Sequence, residues 1–176
     1  VSAYEYDVPI YISTIKDSSL ALNLAVHRLE NKKYDLDFVR EIIEQAAIVY
    51  DSKKSAILEL GGGVPKNTAQ QTGPLLDQIL RRNDGGQNYI IQITDARPDT
   101  GGLSGATLQE GKSWGKIQDS HEGIITVYAD ATIAFPILAL YVLSNQKSRE
   151  PKRLYKKIGE MYNKLSKDYF KNPDNN

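Results

Sequence analysis

A layered α/β domain with a largely parallel sheet flanked by helices is the fold class this sequence predicts, on three observations. Short runs rich in β-branched and aromatic residues alternate with longer segments of helical period, which is how strand–helix–strand units read. Glycine, proline, or a capping serine or aspartate stands at most of the junctions between them. And 176 residues at 40% hydrophobic content are enough to bury one core, so residues 1–176 are read as a single domain.

The elements follow in order. Val8 to Ser13 (VPIYIS) alternates as a first strand. Ser18 or Ser19 can cap a helix running to about Asn31, because a serine oxygen there accepts from an otherwise unpaired first-turn amide. Asp35 can cap a second helix, in which Val39, Ile42, Ile43, Ala46, Ala47 and Tyr50 form an apolar stripe. Ser55 to Leu60 (SAILEL) is the next strand and Gly61, Gly62 and Gly63 end it. A helix is expected from Pro65, bent or broken at Gly73 and Pro74 before Arg82. A turn at Asn83 to Gln87 precedes a strand at Tyr89 to Thr94 (YIIQIT), and Ile124 to Tyr128 (IITVY) is a further strand. Ile133 to Leu143 is apolar on every side, the pattern of a helix inside a core or at an interface. Residues 148–171 read as a C-terminal amphipathic helix, with Pro151 in its first turn, Leu154, Ile158, Met161 and Leu165 on one face and lysines on the other. A basic helix of this kind can meet an acidic partner, but a solvated face on a packed helix is commoner.

Charge and composition exclude several classes of function. Twenty-two basic residues balance 22 acidic ones, so no bulk attraction to nucleic acid or anionic membrane is expected. Cysteine is absent, which removes disulfides, thiolate nucleophiles and thiolate metal sites and fits a reducing, cytoplasmic setting. The longest apolar run, Ala129 to Ser144, falls short of the roughly 20 residues a bilayer span needs. Neither His27 nor His121 sits at a spacing suited to a metal site or a nucleophile triad. The chain opens on Val1 and enters a strand pattern almost at once, as a fragment or a processed product would.

The chemistry concentrates in Gln92 to Lys116, where a strand end, a glycine-broken loop and a lysine beside the single tryptophan follow one another. The Gly61–Gly63 run between strand and helix would let a ligand approach the backbone, or would serve as a tight turn; its spacing matches neither the dinucleotide fingerprint nor a P-loop. Asp17 and Asp130 stand between a strand and a helix, where a carboxylate caps the helix or accepts from ribose hydroxyls. Lys116 is a candidate imine-forming amine against a background in which most lysines are surface charges. Trp114 can cover a cationic amine or belong to the core, and Glu110 can hold an ammonium group or be exposed.

Four blocks, YEYDVPIYISTIKDSSL, ELGGGVPKN, ITDARPDTGGLSGATLQEGKSWGK and VYADATIAFP, resemble the deoxyhypusine synthase family along nearly the whole chain. The resemblance implies a Rossmann-like fold and a homotetramer of tight dimers with active sites between subunits. It also implies a transferase that uses NAD to oxidise spermidine or another polyamine, carries the 4-aminobutyl group as an imine on Lys116, and delivers it to an acceptor amine. It places Glu110, Trp114, Asn67, Gly101 and Gly102 at the polyamine, and Asp17, Gly62, Asp95, Ala96, Asp130 and Ala131 at NAD, with Asp95 itself a substitution. No metal is implied.

Departures from the family pattern shape the expectation. Asn67 stands where the eukaryotic enzymes have a histidine, and Leu22 and Leu103 stand at two acidic positions of their spermidine pocket. A leucine cannot partner a buried ammonium, so the amine must sit differently or be another amine. The blocks are closest to the prokaryotic deoxyhypusine-synthase-like branch, some of whose members resemble homospermidine synthases with a small diamine as acceptor. The alternatives are therefore a protein acceptor, the hypusine-bearing translation factor precursor, or a small-amine acceptor, with a non-catalytic NAD-binding regulatory subunit as a third reading. Family members are longer, so an N-terminal portion is expected from a second polypeptide in a hetero-assembly or from a longer parent chain, and the isolated chain is expected to show little activity.

Overall fold

The computed structural model describes residues 1–82, 86–118 and 123–171. Its centre is a three-stranded parallel sheet in the order β1 (Ala56–Leu60), β2 (Tyr89–Thr94), β3 (Ile124–Tyr128), in register Ile57↔Ile90, Glu59↔Gln92 and Ile90↔Ile124. All three strands fall where the apolar runs predict them. Helix α4 (Gly63–Gln70) follows β1, α6 (Leu108–Ser113) follows β2 and α7 (Ala131–Asn145) follows β3, which is the alternation a parallel sheet requires.

Two cores hold the domain. On one face of the sheet Ile90, Leu108 and Ile117 pack with Ile57 and Ile124. The second joins α3 (Phe38–Tyr50) to α8 (Leu154–Lys171) through Ala46, Ala47, Leu76, Met161 and Leu165. The α8 stripe of Leu154, Ile158, Met161 and Leu165 is thus the packed face the sequence predicts, although the helix begins at Leu154 and Pro151 precedes it. Between α4 and β2 the chain kinks through α5 (Thr72–Pro74) into a single π-turn, Leu75–Ile79, after which Leu80 N–H donates to the Leu75 carbonyl. That break falls at Gly73-Pro74, where a proline lacks the amide that a continuous helix needs.

Two expectations need correction, and two open alternatives are narrowed. Val8 to Ser13 forms no strand: after a short helical turn, α1 (Ser2–Glu5), this stretch is irregular, and among the described residues it has no ladder partner. A strand exists only as part of a ladder, and here Tyr11 is tied instead to Glu44 of α3 by a 3.4 Å hydrogen bond. The cap of α3 is Asp37, whose carboxylate accepts from Arg40 N–H at 2.8 Å, two residues beyond Asp35. In α2 (Ser19–Leu29), Ser18 is the cap, accepting from Ala21 N–H. Helix α7 buries none of its residues in this chain, so its all-round apolar surface does not belong to the core. The Asn83–Gln87 turn lies in part, and His121 wholly, outside the described residues.

Candidate active site

Four of the residues singled out from sequence converge on one small cavity. Asn67, Glu110, Trp114 and Lys116 line a space of about 80 Å³ together with Lys66, Gln70 and Leu103. Its geometry comes from elements meeting edge to edge: α4 brings Asn67, α6 brings Glu110, and Gly115, at φ +69°, turns the chain so that Lys116 points back toward α4. Lys116 Nζ donates to Asn67 Oδ1 at 2.6 Å, which fixes the amine by a neutral acceptor instead of a carboxylate. Trp114 is 66% exposed, so the core alternative for it fails and its indole borders the opening. Leu103, on the loop after Gly101 and Gly102, adds an apolar wall, while Leu22 stands exposed on α2. Gly101 and Gly102 have positive φ and open space around them.

Beneath the cavity lies a polar layer that sequence reasoning missed. Lys66, 7% exposed, donates to Gln92 Oε1 at 3.3 Å and to the Ala106 carbonyl at 2.7 Å. Gln92 in turn donates to the carbonyls of Gly61 and Ser104, both at 3.1 Å, and so ties the end of β1 to the 101–107 loop. Gln70 donates to Glu59 Oε1 at 2.5 Å, while Glu59 Oε2 is buried without a partner among the described residues. Burial pushes the Glu59 carboxyl above its ordinary range, with Gln70 and the nearby lysines opposing; burial likewise lowers the Lys66 ammonium, with Glu59 opposing. The signal that could have exposed this layer is parity: Glu59 and Gln92 interrupt apolar strands at positions that pair with one another and face α4.

A second, larger cavity of about 540 Å³ opens at the carboxyl ends of β2 and β3, lined by Asp95, Arg97, Pro98, Asp99, Tyr128 and Ala129. Parallel α/β sheets bind ligands at this end of their strands, and the volume lies within the ~300–1,000 Å³ of small-molecule sites. Ala96 follows Asp95, its amide donating to Thr94 Oγ1 at 3.1 Å. Asp130 and Ala131 follow Ala129, and Asp130 Oδ1 accepts from the amide and hydroxyl of Thr132, both at 2.7 Å, as the cap of α7; those bonds hold its carboxyl below the usual range. Gly62 borders a third cavity, of about 180 Å³, beside Glu59 and Lys66. A Cβ on Gly62 would come within 2.6 Å of Ser104 Cα, so its close approach is to the protein's own loop. Asp17 lies apart, exposed at the end of a single 3-10 turn, Ile15–Asp17. Among the described residues no cluster of His, Cys, Asp and Glu is suited to a metal ion, and no helix is long and apolar enough to cross a membrane.

The family model for deoxyhypusine synthase matches residues 1–142. This chain belongs to the deoxyhypusine synthase family. A deoxyhypusine synthase-like protein from Nostoc sp. is 47% identical over 173 residues, covering 96% of this chain and 45% of the relative. A probable deoxyhypusine synthase 2 from Methanosarcina acetivorans is 40% identical over 154 residues, covering 88% and 44%, and one from Archaeoglobus fulgidus is 39% identical over 155, covering 86% and 49%. The chain thus spans less than half the length of these relatives. Within this deoxyhypusine synthase domain the match takes in α4, α6, Lys116 and the strand ends, so all three cavities lie inside the family region.

Proposed function

We propose that the chain is the part of an NAD-dependent aminobutyl transferase that carries the covalent lysine, Lys116. The single observation behind this reading is that Lys116 meets Asn67, Glu110 and Trp114 around one cavity, a nucleophilic nitrogen beside an acidic side chain and an aromatic wall. Glu110 is the group that would attract the ammonium of a polyamine, and Trp114 would cover its methylenes. Asn67 aims the Lys116 nitrogen through a neutral acceptor, its side-chain amide oxygen.

The cavity at the strand ends suits a dinucleotide in size and place, with Asp95, Ala96, Asp130 and Ala131 beside it; Gly62 stands on the separate cavity beside Glu59 and Lys66, and Asp17 would reach the dinucleotide only from its separate turn. When bound, NAD supplies the hydride acceptor for oxidation of the polyamine. The residues of this chain orient the amine, exclude water and offer Lys116 for transfer of the four-carbon unit. The compartment is taken to be the cytoplasm, and the assembly a homotetramer or one completed by an N-terminal portion.

Borohydride added to the assembled protein with NAD and spermidine should leave a mass increment on Lys116, and Lys116→Ala should show none. Equal labelling of both proteins would end the imine reading and leave the regulatory one. Offering the translation factor precursor and putrescine separately as acceptors distinguishes the protein acceptor from the small diamine. The apolar wall at Leu103 is the observation that keeps the diamine in play.

A further inference from the structure

We propose that the amino end of the sheet holds a second ligand site, for a phosphate monoester with a planar, hydrogen-bonding body, the chemistry of a nucleoside monophosphate. Binding there is independent of the transferase reading; only its bearing on Lys116 rests on that reading.

A cavity of about 490 Å³ opens where β1 begins and just before β2, at the end of the sheet opposite the cavity at the carboxyl ends. The volume lies within the ~300–1,000 Å³ of small-molecule sites. Four parts of the chain enclose it: the last turns of α3, the turn into β1, the junction of α4 with α5, and the segment between α7 and α8. Three cations line it, Lys54, Arg149 and Lys152, and no carboxylate does. In a chain whose 22 basic and 22 acidic residues balance, a concave wall of one sign is a local departure that concentrates anions. Neighbouring cations are used differently: Arg153 and Lys156 both pair with Asp7, at 2.7 and 3.2 Å, whereas among the described residues Arg149 and Lys152 meet no carboxylate. Lys54 is steadied by a neutral group, donating to the Tyr89 hydroxyl at 3.1 Å. Water can solvate these charges singly, but a phosphate dianion draws on all three at once, and the arginine fork can grip two of its oxygens.

The rest of the lining suits the body of such a molecule. Ile48, Val49 and Leu154 supply an apolar wall, and Gln87, 2% exposed, supplies a buried amide. Gln87 Nε2 donates to Thr72 Oγ1 at 3.2 Å, which holds that amide in place and leaves its oxygen to accept from the edge of a planar ring. The same residue reaches the transferase site through its main chain. Gln87 N–H donates to the Lys116 carbonyl at 3.0 Å, and Gln118 N–H donates to the Gln87 carbonyl at 3.1 Å. A ligand held on the Gln87 amide therefore bears on the backbone that carries Lys116. The family match ends at residue 142, so Arg149 and Lys152 lie outside it.

Calorimetric titration of the assembled protein with UMP tests the site, with NAD present throughout so that a nucleotide-binding cavity at the carboxyl ends is already filled. UMP should bind once per chain, inorganic phosphate more weakly, and uridine, which lacks the charge, not measurably. Arg149→Gln and Lys152→Gln should each weaken UMP by about tenfold or more, and Lys152→Arg should leave it near the parent value. Both side chains are exposed, so these variants keep the fold, and the Gln87 side-chain amide resonances of the unsubstituted protein should shift as UMP is added. Absent UMP binding, uridine binding as tightly as UMP, or unchanged affinity in the Arg149→Gln, Lys152→Gln double variant would each overturn the proposal. So would capture of poly-glutamate in preference to UMP, which would make the cavity a seat for an acidic polypeptide. UMP binding intact with no borohydride trapping at Lys116 would instead sink the transferase reading and leave the site as described.

Discussion

Glu59 shows how a single buried carboxyl can shape the pH response of the whole domain. Its folded pKa lies above its ordinary value, chiefly through burial, so the native state holds a proton that the unfolded chain has already released. The stability Glu59 allows is therefore complete below about pH 4.5, the ordinary value, and is lost as pH rises through the raised folded value. Glu59→Gln stays uncharged and keeps an oxygen for the Gln70 amide, so it is expected to melt a few degrees above the parent at pH 8, with the gap closing toward pH 4. Melting curves at the two pH values check it; an equal gap at both would mean that the carboxyl is charged throughout. At this scale Lys116, Trp114 and Glu110 were legible because they lie within 110–116, on one short helix and its turn. Lys66 and Gln92 were not, because their meaning depends on a contact 26 residues apart.

Among the elements, α8 shows the strongest agreement between pattern and packing. Its apolar positions recur at helical spacing and all face α3, where Leu165, at 1% exposure, sits against Ala46, Ala47 and Leu76. The alanines let the two helices approach closely, so a leucine removed there leaves a void that small neighbours cannot refill. Leu165→Ala is expected to cost about 2–5 kcal/mol, read as a lower denaturant midpoint with no change in slope. The lysines of α8 stay on the solvent side, where Lys164 pairs with Asp51 at 2.5 Å and Lys171 with Asp168 at 2.9 Å, which favours the solvated-face reading of its charge. Strand prediction fared differently at its start. Val8 to Ser13 has the composition of a strand, but composition supplies no neighbour, and the segment is held by Tyr155 N–H donating to the Asp7 carbonyl and by Tyr11 on Glu44.

At the scale of the molecule the outer strands are left open on the sheet face opposite the Ile90 core, although Ile93 of the central strand is buried there. Leu58, Leu60, Ile125 and Val127, which alternate away from the Ile90 core, are 37–51% exposed, and Ile133, Ile137, Leu140 and Leu143 of α7 are 66–79% exposed. Parallel strands are ordinarily buried on both sides, and contiguous apolar surface of this kind marks a protein contact. With the match covering only 44–45% of these relatives, the covering element is proposed to be the remainder of the family fold or a neighbouring subunit. The assembled protein should sediment well above 19.7 kDa, and Ile137→Glu with Leu140→Glu should lower that mass while leaving the α3–α8 core folded. Unchanged sedimentation of the double variant would show that α7 is not the contact.

Local order was within reach of the amino-acid sequence alone: which segments are strands around residues 56–60, 89–94 and 124–128, which face of α8 is apolar, and which lysine stands beside the tryptophan. These depend on side-chain period, capping and backbone freedom over a few residues, and such forces act between neighbours in the chain. Tertiary structure alone decided that Asn67 receives Lys116, that Lys66 lies buried under both, that Val8 to Ser13 finds no ladder, and that α7 faces outward. Each depends on which distant surfaces meet and how much water they exclude, a property of the packed whole and not of any one segment.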